Sequence, residues 1–97
     1  MSYQISNYSY NQAERLGVAI EPSTHKNKKI DVYKGKELVA SIGDTRYKDY
    51  PYYLREERMG KYKKGTANRN KYLYWKRHAK DASVAGSPGY YAANILW

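Results

Sequence analysis

The sequence predicts an α+β fold in which a small antiparallel β-hairpin or sheet packs against two or three short helices. Residues 30–33 and 38–42 alternate between apolar and polar side chains around a turn that contains Gly35, which is the pattern of a β-hairpin. Other segments combine helix-capping residues with helical apolar spacing. A chain of 97 residues has the size of one domain with one modest core.

The N-terminal quarter is predicted to hold an arm, a short helix and a loop. Residues 1–9 lack periodicity and are predicted as an extended arm that precedes a single basic domain at residues 10–97. Residues 10–16 fit a short helix with Gly17 at its C-cap. A short apolar run then ends at Pro22, before a polar and basic loop.

Three helices are predicted after the hairpin. The first has Asp49 or Tyr50 as its cap, Pro51 at its first position, and an end near residue 59. The second runs over residues 67–80 with Thr66 as its cap. Apolar spacing places three side chains on one face of this helix, which favours the core over a stacking surface: Tyr72, Trp75 and Ala79.

The last helix is predicted over residues 89–97. Ser87 is its cap and Pro88 occupies the first turn. Helical spacing predicts Tyr91, Ile95 and Leu96 as its buried edge.

The chain is strongly basic, and the charge is concentrated in one region. The formal charge is +9, from 18 Lys and Arg against 9 Asp and Glu. Residues 1–23 have a net charge of −1, whereas residues 55–80 contain ten basic and two acidic side chains, a net of +8. Such a concentration attracts polyanions, so nucleic acid is the predicted partner, with DNA favoured.

The aromatic residues are 13 Tyr and 2 Trp, with no Phe, and their polar groups suit partly exposed surfaces. Nucleic-acid-binding proteins use cations for phosphates and aromatic rings for bases. The predicted phosphate contacts are Lys26, Lys28, Lys29, Arg69, Lys76, Arg77 and Lys80. The predicted stacking or interface residues are Tyr47, Tyr50, Tyr74 and Trp75. The alternative is a solvated loop and cationic face, with the aromatic rings in the core.

Catalysis and metal binding have little support in the sequence. There is no Cys, and His25 and His78 are too few for a zinc site, which needs three or four ligands. A nuclease needs clustered acids to hold Mg²⁺; Asp44 and Asp49 are candidates, but such residues more often cap helices or accept tyrosine hydroxyls. We therefore predict no enzymatic activity, no cofactor and no metal.

The sequence has no apolar run near the ~20 residues that span a bilayer and no signal-peptide pattern at its N-terminus. We therefore predict no membrane association and no secretion.

Several short motifs occur together over residues 10–97. They are Ala13-Glu14-Arg15-Leu16-Gly17-Val18, Pro22-Ser23-Thr24, Lys28-Lys29-Ile30-Asp31-Val32-Tyr33, Ser41-Ile42-Gly43-Asp44, Tyr47-Lys48-Asp49-Tyr50-Pro51, Tyr74-Trp75-Lys76-Arg77-His78, Gly86-Ser87-Pro88-Gly89-Tyr90-Tyr91-Ala92 and Ile95-Leu96-Trp97. With this combination the chain resembles a family of small, basic, uncharacterised proteins of large double-stranded DNA viruses and tailed phages. The resemblance implies a location in the virion or in the host cytoplasm or nucleus, and it implies no catalytic residues.

Two function classes follow from these observations. The first is a viral nucleic-acid-binding protein that contacts the backbone without sequence specificity and is associated with the genome. The second is a structural virion protein, such as a minor capsid or head protein, whose basic and tyrosine-rich surface contacts other viral structural proteins.

Overall fold

Three strands and four helices make up residues 3–97, the part of the chain that a computed structural model describes. Their order is α1 (Asn7–Leu16), β1 (Ala19–Pro22), β2 (Lys28–Lys34), β3 (Glu37–Asp44), α2 (Tyr50–Arg58), α3 (Thr66–Ala82) and α4 (Pro88–Leu96). The predicted α+β fold with an antiparallel sheet is confirmed. Within this part of the chain, no helix combines the length and hydrophobicity needed to cross a membrane.

The sheet has the order β1-β2-β3, and both strand pairs are antiparallel. The predicted hairpin forms β2 and β3, with Ile30 opposite Ile42 across the pair. The short apolar run before Pro22 forms β1, where Ile20 pairs with Val32. These four side chains are buried, because alternate residues of each strand project from the same face of the sheet.

The core lies between this face of the sheet, α1 and α4. Tyr91, Ile95 and Leu96 of α4 are buried in it, which confirms the predicted buried edge. Gly43 of β3 allows the close approach of α4. Its φ is +77°, and an added Cβ would lie 2.7 Å from Cδ1 of Leu96, so only glycine fits this position without strain or displacement.

The N-terminal helix begins earlier than predicted. Ser6 is its N-cap, and Ser6 Oγ accepts a hydrogen bond of 3.2 Å from the Ser9 N–H. Ser9 is buried, and its hydroxyl donates to the Ile95 carbonyl oxygen at 2.8 Å. The predicted arm is therefore corrected, because residues 7–9 belong to α1. Tyr3 and Ile5 pack against the core, and residues 1 and 2 of the arm lie outside the described residues. The C-cap of α1 is Gly17, as predicted.

The caps of the later helices follow the prediction at two of three positions. Asp49 caps α2 by accepting from the Tyr52 N–H at 3.0 Å. Ser87 caps α4 by accepting from the Tyr90 N–H at 3.1 Å. The predicted Thr66 cap is wrong, because its hydroxyl donates to the Lys63 carbonyl oxygen at 2.6 Å.

A carboxylate from another helix takes the place of the Thr66 cap. Oε1 of Glu57, on α2, accepts from the Ala67 N–H at 2.9 Å. Backbone donors from Ala67, Gly65 and Thr66 lower the pKa of Glu57, so the side chain stays anionic at the positive end of the α3 dipole. This contact joins α2 to α3.

The predicted buried face of α3 is also wrong. Tyr72 is 63% exposed and Ala79 is exposed, whereas Trp75 is half-buried. The face that packs on α2 and α4 instead carries Ala67, Tyr74 and His78. The helix kinks at His78, where φ is −110° and ψ is 16°. Both faces of α3 contain tyrosine, so apolar spacing alone does not separate them.

Candidate nucleic-acid interface

One exposed face of α3 carries three cations around a tyrosine, and we call it the α3 stripe: Arg69, Tyr72, Lys76 and Lys80. Arg69, Tyr72 and Lys76, at i, i+3 and i+7, lie on one side of the helix. Lys80 follows the kink at His78, and all four side chains are exposed. Lys76 Nζ lies 6.0 Å from the centroid of the Tyr72 ring. Within residues 3–97, the three cations of the stripe form no ion pair. Their charge is therefore available to an anion.

A cleft of about 490 Å³ lies where the end of the hairpin farthest from its turn meets α2, α3 and α4. Its cationic lining residues are Lys28, Lys29, Lys48 and Arg77. Its aromatic lining residues are Tyr47, Tyr53, Tyr74, His78 and Trp97. The fold thus brings together Lys28 of β2 and Arg77 of α3, two predicted phosphate contacts that are distant in sequence. Arg77 directly follows Lys76, so the cleft and the α3 stripe are neighbours.

Stacked rings form one wall of the cleft. The Tyr74 ring lies 4.3 Å from the His78 ring and 4.5 Å from the Trp97 ring, centroid to centroid, at interplanar angles of 29° and 9°. Both faces of Tyr74 are therefore covered, and the prediction that Tyr74 stacks on a base is corrected. Burial, followed by the charge of Asp81, raises the pKa of Tyr74, so the ring remains a neutral phenol.

The two acids of the cleft are each paired with a cation. Asp44 accepts from Arg46 Nη2 at 2.7 Å and from Nε at 3.0 Å, and these hydrogen bonds lower the pKa of Asp44 to about 2. Asp49 accepts from Lys29 Nζ at 2.8 Å and from the Tyr3 hydroxyl at 2.7 Å. Burial and the adjacent Asp49 raise the pKa of Tyr3. Among the described residues, no group of three or more His, Asp or Glu side chains is placed to hold a metal ion.

Lys29 is not a surface cation, and its prediction as a phosphate contact is corrected. The residue is 5% exposed, and Nζ donates to Asp49 and to the Tyr47 carbonyl oxygen at 2.7 Å. Lys26 and Lys28 are exposed. The loop therefore offers two cations to a ligand.

The remaining predicted aromatic residues have different environments. Tyr47 is 69% exposed at the cleft. Tyr50 packs against the Tyr8 ring, has Lys71 Nζ 4.8 Å above its own ring, and donates to Asn68. Trp75 Nε1 is buried and has no hydrogen-bond partner within residues 3–97. Of the four predicted aromatic residues, Tyr47 alone is predominantly exposed.

A second polar cluster, which the sequence motifs did not reveal, surrounds the buried Asp31. Its carboxylate accepts from Ser23 Oγ at 2.6 Å and from Ser41 Oγ at 2.7 Å, and it lies 3.2 Å from His25 Nδ1. Asp31 and Ser41 are opposite each other in the β2–β3 register, so the hairpin register is the signal that points to half of this cluster.

This cluster has the residue types of a hydrolase triad but a different geometry. In a triad, the serine and the carboxylate contact opposite nitrogens of the imidazole. Here both serine hydroxyls donate to Asp31, and both lie beside the same His25 nitrogen, at 3.4 and 3.3 Å. The arrangement ties the β1–β2 loop to the sheet.

Searches with protein-family models, against curated proteins and against solved structures found no match to this chain. The resemblance to proteins of DNA viruses and phages therefore stays a prediction from the sequence motifs.

Proposed function

We propose that this protein binds nucleic acid through the phosphate backbone, without sequence specificity, and that DNA is the favoured polymer. The observation that carries the proposal is the α3 stripe, where three cations that form no ion pair within residues 3–97 accompany an exposed tyrosine on α3. Cations on a helix surface contact phosphates and release counterions, which supplies affinity that does not depend on sequence.

The neighbouring charges support the same surface. Arg77, which directly follows Lys76, and Lys28 both line the cleft, and Lys63 and Lys64 are exposed just before α3. With five phosphate contacts, from Lys28, Arg69, Lys76, Arg77 and Lys80, the slope of log K against log salt for duplex DNA is expected to be about −4.5.

The biological setting belongs to the proposal as well. From the sequence resemblance, we propose that the protein is encoded by a DNA virus or phage and is associated with its genome. Binding without sequence specificity suits that role, because a genome-associated protein has to occupy many different sequences.

The test is fluorescence anisotropy with a labelled 20-base-pair duplex at several NaCl concentrations. Wild-type protein is expected to bind duplexes of unrelated sequence equally. The triple variant Arg69→Gln, Lys76→Gln, Lys80→Gln is expected to weaken binding and to reduce the salt slope by about 2.7, since each lost phosphate contact removes about 0.9.

The matched control removes three exposed cations elsewhere: Arg15→Gln, Lys34→Gln and Lys36→Gln. Lys34 and Lys36 lie at the hairpin turn, at the opposite end of β2 from Lys28. This control should retain most of the wild-type slope. Equal loss in both triple variants would show that total charge, rather than the α3 stripe, drives binding, and no DNA binding at ~50 mM salt would overturn the proposal.

The second function class, a structural virion protein, uses the same exposed residues for protein contacts. Purified particles that contain the chain in stoichiometric amounts, together with no DNA binding at low salt, would favour that function. Both functions apply if the protein lines the inner surface of a shell.

A further inference from the structure

We infer that the cleft between the hairpin, α2, α3 and α4 binds one nucleotide of an unpaired strand, with the base against the aromatic wall and the phosphate against Lys28, Lys48 and Arg77. This inference rests on the nucleic-acid binding proposed above, and it adds which part of the polymer enters the protein. A free nucleotide and a nucleotide within a strand offer the cleft the same base and phosphate, so separate experiments with each distinguish them.

The size of the cleft matches a small ligand. Its volume of about 490 Å³ lies within the range of about 300–1,000 Å³ that is usual for small-molecule sites. The walls come from six parts of the fold, namely the ends of β2 and β3, the segment before α2, and helices α2, α3 and α4 with Trp97. Packed elements rather than loops alone hold the cleft open.

The charge of the cleft suits one phosphate. Four cationic and two acidic side chains line it, and the acids are occupied by Arg46 and Lys29. Within residues 3–97, Lys28 and Arg77 form no ion pair. Lys48 also lines the cleft; its Nζ donates to the Tyr62 hydroxyl at 3.1 Å, and that hydrogen bond raises the pKa of Lys48.

A flat aromatic surface that suits a base lines the same cleft as these cations. His78 and Trp97 end the ring stack on Tyr74, and the Tyr53 ring lies 6.1 Å from that of Trp97. A base can extend such a stack, because aromatic rings offer their faces to any base. Tyr47, exposed at the cleft, can cover the base from the outside.

Asn70 supplies a polar group for the edge of the base. Its amide Nδ2 donates to the Thr66 carbonyl oxygen at 2.9 Å, which fixes the orientation of the amide. Oδ1 accepts no hydrogen bond within residues 3–97 and lies on a residue that lines the cleft. An amide oxygen accepts from an exocyclic amino group of a base.

A base that is paired and stacked in a duplex cannot enter this cleft. Extruding one costs a few kcal/mol, whereas a single strand presents its bases without that cost. The inference therefore predicts that the protein binds single strands more tightly than duplexes of the same length at the same salt, by about tenfold or more.

The first experiment is a ¹H–¹⁵N NMR titration with AMP, adenosine and ribose 5-phosphate. AMP is expected to shift amide signals of cleft residues, such as Gly43, Lys48 and Ala92, and to bind at least tenfold more tightly than either fragment. The inference is overturned if 10 mM AMP shifts no cleft signal, or if one fragment alone binds as tightly as AMP.

Two variants separate the phosphate from the base. The double variant Lys28→Gln, Arg77→Gln is expected to weaken AMP binding at least tenfold and to leave the affinity for adenosine unchanged. Tyr47→Ser is expected to lower the affinities for AMP and for adenosine by the same factor, about tenfold. The matched controls are Lys34→Gln with Lys36→Gln, and Tyr10→Ser on the exposed surface of α1, and neither should alter AMP binding.

The polymer experiment compares a labelled 20-base single strand with its duplex by anisotropy. Preference for the single strand, lost in Tyr47→Ser, supports the inference, and equal affinity for both overturns it. The two proposals fail separately. If the protein binds duplex DNA in a salt-dependent way but does not bind AMP, only the nucleotide site in the cleft is overturned. If it binds AMP but the α3 triple variant binds DNA as well as wild type, only the role of the α3 stripe is overturned.

Discussion

Lys28 and Lys29 are adjacent in the sequence but have opposite environments. Residues 29–32 of β2 are all buried, so both faces of the strand are covered there; Lys28 is exposed at the start of the strand, while Lys29 is buried with Asp49. A buried ammonium keeps its charge only if a partner replaces the lost water. Asp49 and the Tyr47 carbonyl oxygen provide that replacement.

The buried Lys29–Asp49 pair is therefore expected to matter for stability rather than for binding. Lys29→Met leaves the Asp49 carboxylate buried without its cation and should lower the free energy of unfolding by about 3 kcal/mol. Urea denaturation followed by circular dichroism measures this change.

The exposed Asp44–Arg46 pair is the matched control for that measurement. Arg46→Met breaks an ion pair of similar length, 2.7 Å, at the surface, where ion pairs contribute little, and it should leave the urea midpoint almost unchanged. Equal effects of the two variants would contradict the assignment of Lys29 to the interior.

Asp31 is a second buried acid, and its pKa predicts how stability changes with pH. Burial alone would raise the pKa, but hydrogen bonds from Ser23, Ser41 and His25 lower it below the usual value. Because the pKa is lower in the folded state, the contribution of Asp31 is present above the unfolded pKa of about 3.9 and is lost as pH falls through the folded pKa.

Asp31→Asn is accordingly expected to lower stability at pH 7 by about 1–3 kcal/mol, and the difference from wild type should shrink as pH falls below about 4. Urea denaturation at pH 7, 5, 4 and 3 checks this trend. Asp81→Asn, which changes an exposed acid on α3, is the control, and its free energy of unfolding should match that of wild type at each pH. A difference that persists at pH 3 would contradict the prediction.

At the scale of elements, the packing of β3 on α4 depends on one glycine. Gly43 and Gly35 both have positive φ, +77° and +63°, but only Gly43 faces another element. An added Cβ at Gly43 would contact Cδ1 of Leu96 at 2.7 Å and Cδ of Lys29 at 3.0 Å, whereas no atom of residues 3–97 lies within 4 Å of one at Gly35.

These two glycines give a matched pair of variants. Gly35→Ala should lower the free energy of unfolding by about 1 kcal/mol, from backbone strain alone. Gly43→Ala should cost about 1–3 kcal/mol more, because the methyl group also displaces packed side chains. Thermal and urea denaturation compare the two directly. Equal losses would show that α4 does not pack closely on β3.

At the scale of the whole molecule, the core and the charge occupy different parts. The buried core cluster combines the sheet with α1 and α4. In contrast, residues 55–80 have a net charge of +8. Their Tyr62 and Tyr74 rings contact Tyr53 and Trp97, and Glu57 accepts from the Ala67 N–H. This separation lets α3 present cations without burying them. The α3 triple variant and the control at Arg15, Lys34 and Lys36 each lose three positive charges. Comparing their DNA affinities therefore shows whether the position of the charge or its total determines binding.

Local signals in the sequence determined much of the fold. The alternation at residues 30–33 and 38–42 predicted the hairpin, and the capping roles of Asp49 and Ser87 were visible in the residues beside each helix. The apolar spacing of α4 likewise predicted its buried edge. Such signals act within a few residues, so no knowledge of distant neighbours is needed to find them.

Which cations and rings face the solvent depends on contacts between elements that are distant in the sequence. Lys29 is buried because Asp49, 20 residues away, supplies its counter-charge. Tyr72 is exposed because α2 and α4 cover the other face of α3. The long lysine stem and the amphipathic tyrosine ring suit both the surface and the interior, so the packing of distant elements, which also creates the cleft, determines where each one lies.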